Sequence, residues 1–258
     1  MTAPLFLVDD LSDSSQVSQV SITGAEGRHA VSVKRLSVGE PVLASDGRGR
    51  VAHGVVAEVI GRDHLVMSVD SVVHHEVASP RITVVQALAK GDRAELAIEL
   101  MTELGVHQIV PWSASRSIAQ WKSDKAERGV DKWQATAREA TKQSRRAFVP
   151  QITGIESTQA VATRIRAAMS ADGLAYVLHE SASTSLVALL SSNACVDSRE
   201  LAGDVVLIIG PEGGISPEEL DIFCAAGAVA ARLGTDVLRT STAGGAAIAV
   251  VSALTGLW

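Results

Sequence analysis

The chain has 258 residues, 47% of them hydrophobic, enough to bury a sizeable core in one large domain or two modest ones. Aromatics are only 3%, so that core must be built from Val, Leu, Ile and Ala, a composition that suggests buried parallel strands. The net charge of −6 excludes a uniformly basic nucleic-acid binder but not a local basic surface, because binding responds to local potential. No apolar run reaches the roughly 20 residues of a membrane helix. The segment MTAPLFLVDDLSDSS has neither a basic n-region nor a cleavage site, so no signal peptide is expected. Neither Cys195 nor Cys224 belongs to a C-x-x-C pair. Both are expected to be reduced and largely buried in a soluble, cytoplasmic protein without a metal site.

Up to about residue 75 the chain reads as short alternating strands. These are Gln19 to Thr23, Pro41 to Ala44, Val51 to Val59 and Leu65 to Val73, punctuated at Gly24, Gly39 and Asp46-Gly47. That pattern predicts a small, barrel-like β domain over residues 1–75, followed by a connector through Pro80. From Arg81 onward strands and helices alternate. Ile82 to Leu88 is a predicted strand, and Asp92 to Leu104 a helix with Asp92 and Glu95 as its capping box and Gly105 as its stop. Gln108 to Pro111 is a strand; Lys132 to Ala147 and Thr158 to Met169 are helices. Leu174 to His179 and Val205 to Ile209 are strands. Ser216, Pro217 and Glu219 open another helix, Val229 to Leu233 is a strand, and Thr242 to Leu257 is the last helix. This alternation predicts a parallel sheet covered on both faces over residues 76–258.

Ligands in open α/β sheets bind beyond the carboxyl ends of the strands. The turn Gly210-Pro211-Glu212-Gly213-Gly214 follows a predicted strand and has little side-chain bulk, so its backbone can approach a flat ligand. It has neither a Walker lysine nor a G-x-G-x-x-G spacing, so a phosphate cradle is disfavoured. By itself it is equally a tight strand-to-helix turn. From Arg116 to Arg146, nine basic residues face four acidic ones, a local +5 in an acidic chain. Within that stretch Arg138, Lys142, Arg145 and Arg146 fall at three- and four-residue spacing and share a helix face, with Arg116 and Lys122 upstream. Such a face is either a solvated helix surface or a phosphate-binding one.

The segments GPEGGISPEEL and LGTDVLRTSTA resemble the signature of the SPOUT superfamily of methyltransferases, and more narrowly the family that methylates N3 of a uridine in 16S rRNA. Glu103-Leu104-Gly105-Val106, Pro111, Arg116-Ser117 and WQATAREATKQSRRAFVP match the same family. HAVSVKRLSVGE and SDGRG resemble its PUA-like RNA-binding domain. The resemblance implies a C-terminal domain with a deep trefoil knot (about residues 174–258). It implies S-adenosylmethionine (SAM) bound against three loops, Leu178, His179, Glu180; Ile209, Gly210, Pro211, Glu212, Gly214; and Leu233, Gly234, Val237, Leu238. It further implies a homodimer acting on 16S rRNA or the small subunit. Arg239 is then the expected stabiliser of the uridine anion, with Glu212 and His179 as further candidates. The basic helix, together with Arg28, His29, Lys34 and Arg35 of the β domain, is expected to meet RNA. Two positions depart from the family pattern: Ser241 stands where a Glu is usual, and Ala3-Pro4-Leu5-Phe6 has no arginine. A related enzyme acting on a 2′-hydroxyl or on tRNA, and a non-catalytic RNA-binding dimer, are the alternatives.

Overall fold

The structure is a computed structural model and describes residues 3–9, 11, 18–121, 124–192 and 203–258; Lys122 and Cys195 lie outside the described residues. The chain divides into two compact units, Met1–Val77 with Arg138–Val149, and Ala78–Ala137 with Pro150–Trp258.

The first unit is built on a five-stranded sheet in the order β1-β3-β4-β5-β2. Its strands are β1 (Leu5–Leu7), β2 (Gln19–Ile22), β3 (Pro41–Ser45), β4 (Arg50–Ile60) and β5 (His64–His74). β1 runs parallel to β3 and the other pairs are antiparallel. Register shifts at His53/Gly54 and Val56/Glu58 mark bulges that bend the long β4–β5 ribbon. A Cβ at Gly54 would stand 1.9 Å from the Ser68 carbonyl oxygen, so this close approach requires glycine. Phe6, Ile22, Val42, Ala52, Leu65 and Met67 fill the core beneath.

The sequence reading missed helix α1 (Gly24–Arg28), which continues as a wider π turn over His29–Val33. Glycines and valines are poor helix formers, so periodicity carries no signal there. Packing holds it instead: Gly27 is buried, and a Cβ on it would lie 2.0 Å from the Asp63 carbonyl oxygen.

The second unit is a six-stranded sheet in the order β11-β9-β10-β6-β7-β8, with every pair parallel. The strands are β6 (Ile82–Ala87), β7 (Gln108–Trp112), β8 (Gln151–Ile152), β9 (Leu174–Leu178), β10 (Val205–Ile209) and β11 (Val229–Ala231). Its helices are α2 (Arg93–Glu103), the first part of α3 (Asp124–Ser144), α4 (Thr158–Met169), α5 (Leu186–Ser192), α6 (Pro217–Ala225) and α7 (Thr240–Thr255). Successive strand residues point to opposite faces, and both faces are apolar. Val84, Tyr176 and Leu207 join Ile98 and Met101 of α2, Trp133 of α3 and Ile248 of α7 in one core. Val85, Val177 and Ile208 join Ile165 of α4 and Phe223 of α6 in the other.

Several expectations need correction. Asp92 is helical and caps nothing, and Glu95 instead bonds Lys132 at 2.7 Å. α3 begins at Asp124, not at Lys132. Cys224 is exposed, not buried. In the last helix, Cβ atoms at Gly244 and Gly245 would stand 2.7 Å from Met101 Sδ and 3.0 Å from Leu104 Cδ1. Those glycines let α7 lie close on α2. Among the described residues no helix is long and apolar enough to cross a membrane, and no cluster of metal-ligating side chains occurs.

Candidate active site

Three strand ends of the parallel sheet converge on a cavity of about 320 Å³. The end of β9 contributes Leu178, His179 and Glu180; the end of β10 contributes Ile209 through Glu212 and Gly214; the segment after β11 contributes Arg232 through Arg239. Every residue singled out in the sequence for the cofactor lines this cavity, as does Arg239. The reading missed Arg93, Ile215, Arg232, Thr235, Asp236, Thr240 and Ala243, which line it too. Thr240 could have been found as the neighbour of Arg239. Arg93 carried no signal, since it lies 119 residues from its partner Glu212.

The glycine turn is fixed from both sides. Gly214 has φ +74 and donates its N–H to the Pro211 carbonyl at 2.9 Å. A Cβ at Gly213 would lie 2.9 Å from the Arg116 carbonyl oxygen, so the turn rests directly on the backbone of the Arg116 segment. Behind it Ser216 and Glu219 form the capping box expected of them. The buried Glu219 carboxylate also accepts from the Ser115 amide at 2.8 Å and from Thr158 Oγ1 at 3.1 Å. One carboxylate therefore joins the end of β7 to the starts of α4 and α6. Glu212 is held as well, accepting from the Lys90 amide at 3.2 Å and from Arg93 Nη1 at 3.5 Å.

His179 donates its backbone N–H to Ala231 at 2.9 Å, and its Nδ1 accepts from the Ser181 amide at 3.2 Å. The Arg239 backbone starts α7, but its side chain makes no capping bond and no ion pair among the described residues. Its guanidinium is free to meet a ligand. Ser241 is buried at 2% exposure, so the position lacking the usual Glu faces the interior. Val237 (74% exposed) and Leu238 (42%) form an apolar rim. Thr240 donates to the Gly210 carbonyl at 2.7 Å and accepts from Gln86 Nε2 at 3.0 Å.

A family model described as the RNA methyltransferase domain matches residues 77–252, and one described as the RNA methyltransferase PUA domain matches residues 22–69. A ribosomal RNA small subunit methyltransferase E of Mycobacterium tuberculosis is 42% identical over 100% of this chain and 94% of its own length. The chain belongs to the ribosomal RNA small subunit methyltransferase E family. The family member of Bacillus subtilis is 28% identical, covering 92% of this chain and 91% of its own. A Legionella pneumophila protein solved with the cofactor SAM bound superposes with a TM-score of 0.82 at 25% identity, over 98% of each chain.

The RNA-binding candidates of this family member separate on inspection. In the first unit Arg28, Lys34, Arg35, Arg138 and Arg145 are exposed. His29 is half-buried with its ring edge-on to Phe6 at 5.8 Å. Lys142 is not presented to solvent: its side chain is 4% exposed and its Nζ bonds Glu26 at 2.8 Å and Glu139 at 2.7 Å. Arg146 is half-buried, and burial lowers its pKa to about 10, so it stays cationic at neutral pH. The face drawn from spacing alone is thus part surface and part interior. Arg116, in the second unit, is exposed beside the glycine turn.

Proposed function

We propose that this chain transfers the methyl group of SAM to N3 of one uridine in the 16S rRNA of the small ribosomal subunit. The observation that carries the proposal is the convergence of three strand-end loops on one cavity lined by Arg239, which has no ion pair among the described residues. The residues fit SAM by their chemistry. Leu178, Ile209, Leu233 and Leu238 offer apolar walls to an adenine ring. The glycine turn offers backbone groups unobstructed by side chains. Glu180 and Asp236 bring carboxylates to the same cavity, suited in charge to a ligand carrying a sulfonium and an ammonium.

SAM supplies a methyl group already activated on a sulfonium. The protein's work is to hold N3 in line with it and to favour the deprotonated imide. Glu212 is engaged by Lys90 and Arg93, and His179 Nδ1 by Ser181, so both are held in structural bonds. Arg239, at the start of α7 and without an ion pair among the described residues, is assigned the stabilisation of the uridine anion, which lowers the cost of losing the N3 proton to solvent. A homodimer in the cytoplasm belongs to the same reading, with Val237 and Leu238 as apolar rim for a second copy to cover. So does the trefoil knot near the C-terminus, which rests on the family likeness.

The test is methyl transfer from labelled SAM to small subunits, and separately to free 16S rRNA, from cells lacking this gene. N3-methyluridine at one position supports the proposal. A 2′-O-methyl product or methylated tRNA moves the chain to a sister activity, and no SAM binding leaves an RNA-binding dimer.

RNA contact by the first unit has its own check. Arg138→Glu with Arg145→Glu is expected to weaken RNA binding and to lower the salt slope by about one unit per lost phosphate contact. An unchanged slope removes these arginines from the interface. Lys142→Met, in contrast, is expected to lower stability and leave the slope alone, because Lys142 already neutralises Glu26.

A further inference from the structure

Gln86 is the penultimate residue of β6, in register with Ile209 at the end of β10, and is fully buried. Both hydrogens of its amide are engaged: Nε2 donates to the Ala87 carbonyl at 3.1 Å and to Thr240 Oγ1 at 3.0 Å. Its Oε1 is buried with no hydrogen-bond partner. The reverse amide orientation would set Oε1 against the Ala87 carbonyl oxygen and a Thr240 hydroxyl whose proton already goes to Gly210, which is worse. Gly244 of α7 lies close to that oxygen: an added Cβ would stand 3.6 Å from Oε1.

A buried acceptor without a partner is a standing loss of stability that an apolar side chain of similar volume avoids. What the glutamine provides in exchange is a link. Its amide orients the Thr240 hydroxyl, and that hydroxyl holds the Gly210 carbonyl at 2.7 Å. Gly210 begins the glycine turn, and Thr240 follows Arg239 at the start of α7. The chain Gln86–Thr240–Gly210 therefore ties two cavity walls to the rigid sheet.

We propose that Gln86 is a positioning residue of the cofactor site, holding the glycine turn and the Arg239 segment in one register through Thr240. The inference rests on the SAM-binding reading above. Gln86 does not line the cavity; it acts on the spacing of the groups that do. A residue of this kind should separate stability from function, because removing its orphaned oxygen favours folding while releasing the loops harms binding.

The experiment is calorimetric SAM binding beside thermal unfolding for the wild type, Gln86→Leu, Thr240→Val, Thr240→Ser and the Leu/Val double variant. Gln86→Leu is expected to bind SAM about tenfold more weakly while melting no lower than wild type. Thr240→Val removes the same link from its other end without touching β6 and should show the same loss of affinity. Thr240→Ser keeps the hydroxyl and should stay within about twofold of wild type. The double variant should match the single ones, since both break one chain. Wild-type affinity in Gln86→Leu and Thr240→Val overturns the inference. So does an affinity loss that only follows a loss of melting temperature. A wild type that binds no SAM instead overturns the functional reading and the inference with it.

Discussion

Arg239→Ala is expected to lower kcat by about a hundred- to a thousandfold while SAM affinity stays within about threefold. The guanidinium has no ion pair among the described residues and makes no capping bond to α7, so its removal breaks no structural link. The Arg239 carbonyl, which accepts from the Thr242 and Ala243 amides at 2.9 and 3.0 Å, is untouched by the change. A cation that acts only on the developing anion contributes in the transition state and not to cofactor binding, and this is why the loss should appear in kcat. Arg239→Lys should recover only part of it, because an ammonium lacks the planar fork. Single-turnover methyl transfer measured beside SAM binding decides the matter. Full turnover in the alanine variant takes Arg239 out of the chemistry.

The largest loss of stability is expected from Trp133→Ala. Trp133 is 1% exposed and meets Trp121 edge-on at 5.0 Å and 72°. It sits in the core that also holds Met101 of α2 and Ile248 of α7, the helices behind the cavity. Truncating a buried Trp costs about 3–5 kcal/mol, a large part of the 5–15 kcal/mol that holds a typical domain together. For a chain of this size that is a fall in melting temperature of about 10 °C. Trp133→Phe should lose clearly less, since a ring remains to fill the site. If urea unfolding shows under about 1 kcal/mol for the alanine variant, the core closes over the gap and Trp133 is not its anchor.

Where the sequence was readable, local chemistry and tertiary structure agree. Val205–Ile209 is apolar throughout because β10 is covered on both faces, and Ser216-Pro217 with Glu219 opens α6 because Glu219 keeps its capping bond on one oxygen while Ser115 and Thr158 take the other. The same motif at Asp92 and Glu95 misled. Gly91, at φ +62, leads into an Asp92 that is already helical, and Glu95 turns to Lys132. α3 began eight residues earlier than periodicity suggested. Its first turns are charged, and Gly129, a weak helix former, is there because the Trp121 ring lies where its Cβ would be, at 2.5 Å. Of the site, the loops were legible as family motifs. Arg93 and Gln86 were not, because a helix start and a strand end acquire meaning only when the sheet brings them to loops far along the chain. The split of the basic face had the same cause: spacing places Lys142 beside Arg138, but only the fold supplies Glu26.

The order of the parallel sheet also sets a schedule for its assembly. β6 lies between β7 and β10, and the pair Arg81 and Asp204 at the β6–β10 margin is separated by 123 residues. At synthesis rates of about 5–20 residues per second, β6 leaves the ribosome roughly 6–25 s before its inner neighbour exists. Until then one edge of an apolar strand is unpaired, and an unpaired apolar edge is a template for aggregation. Contacts this distant in sequence also slow folding, since the loop must close before the strand pair rewards it. Recovery of soluble protein should therefore depend on translation speed and on chaperone supply more strongly than the stability of the finished molecule would suggest.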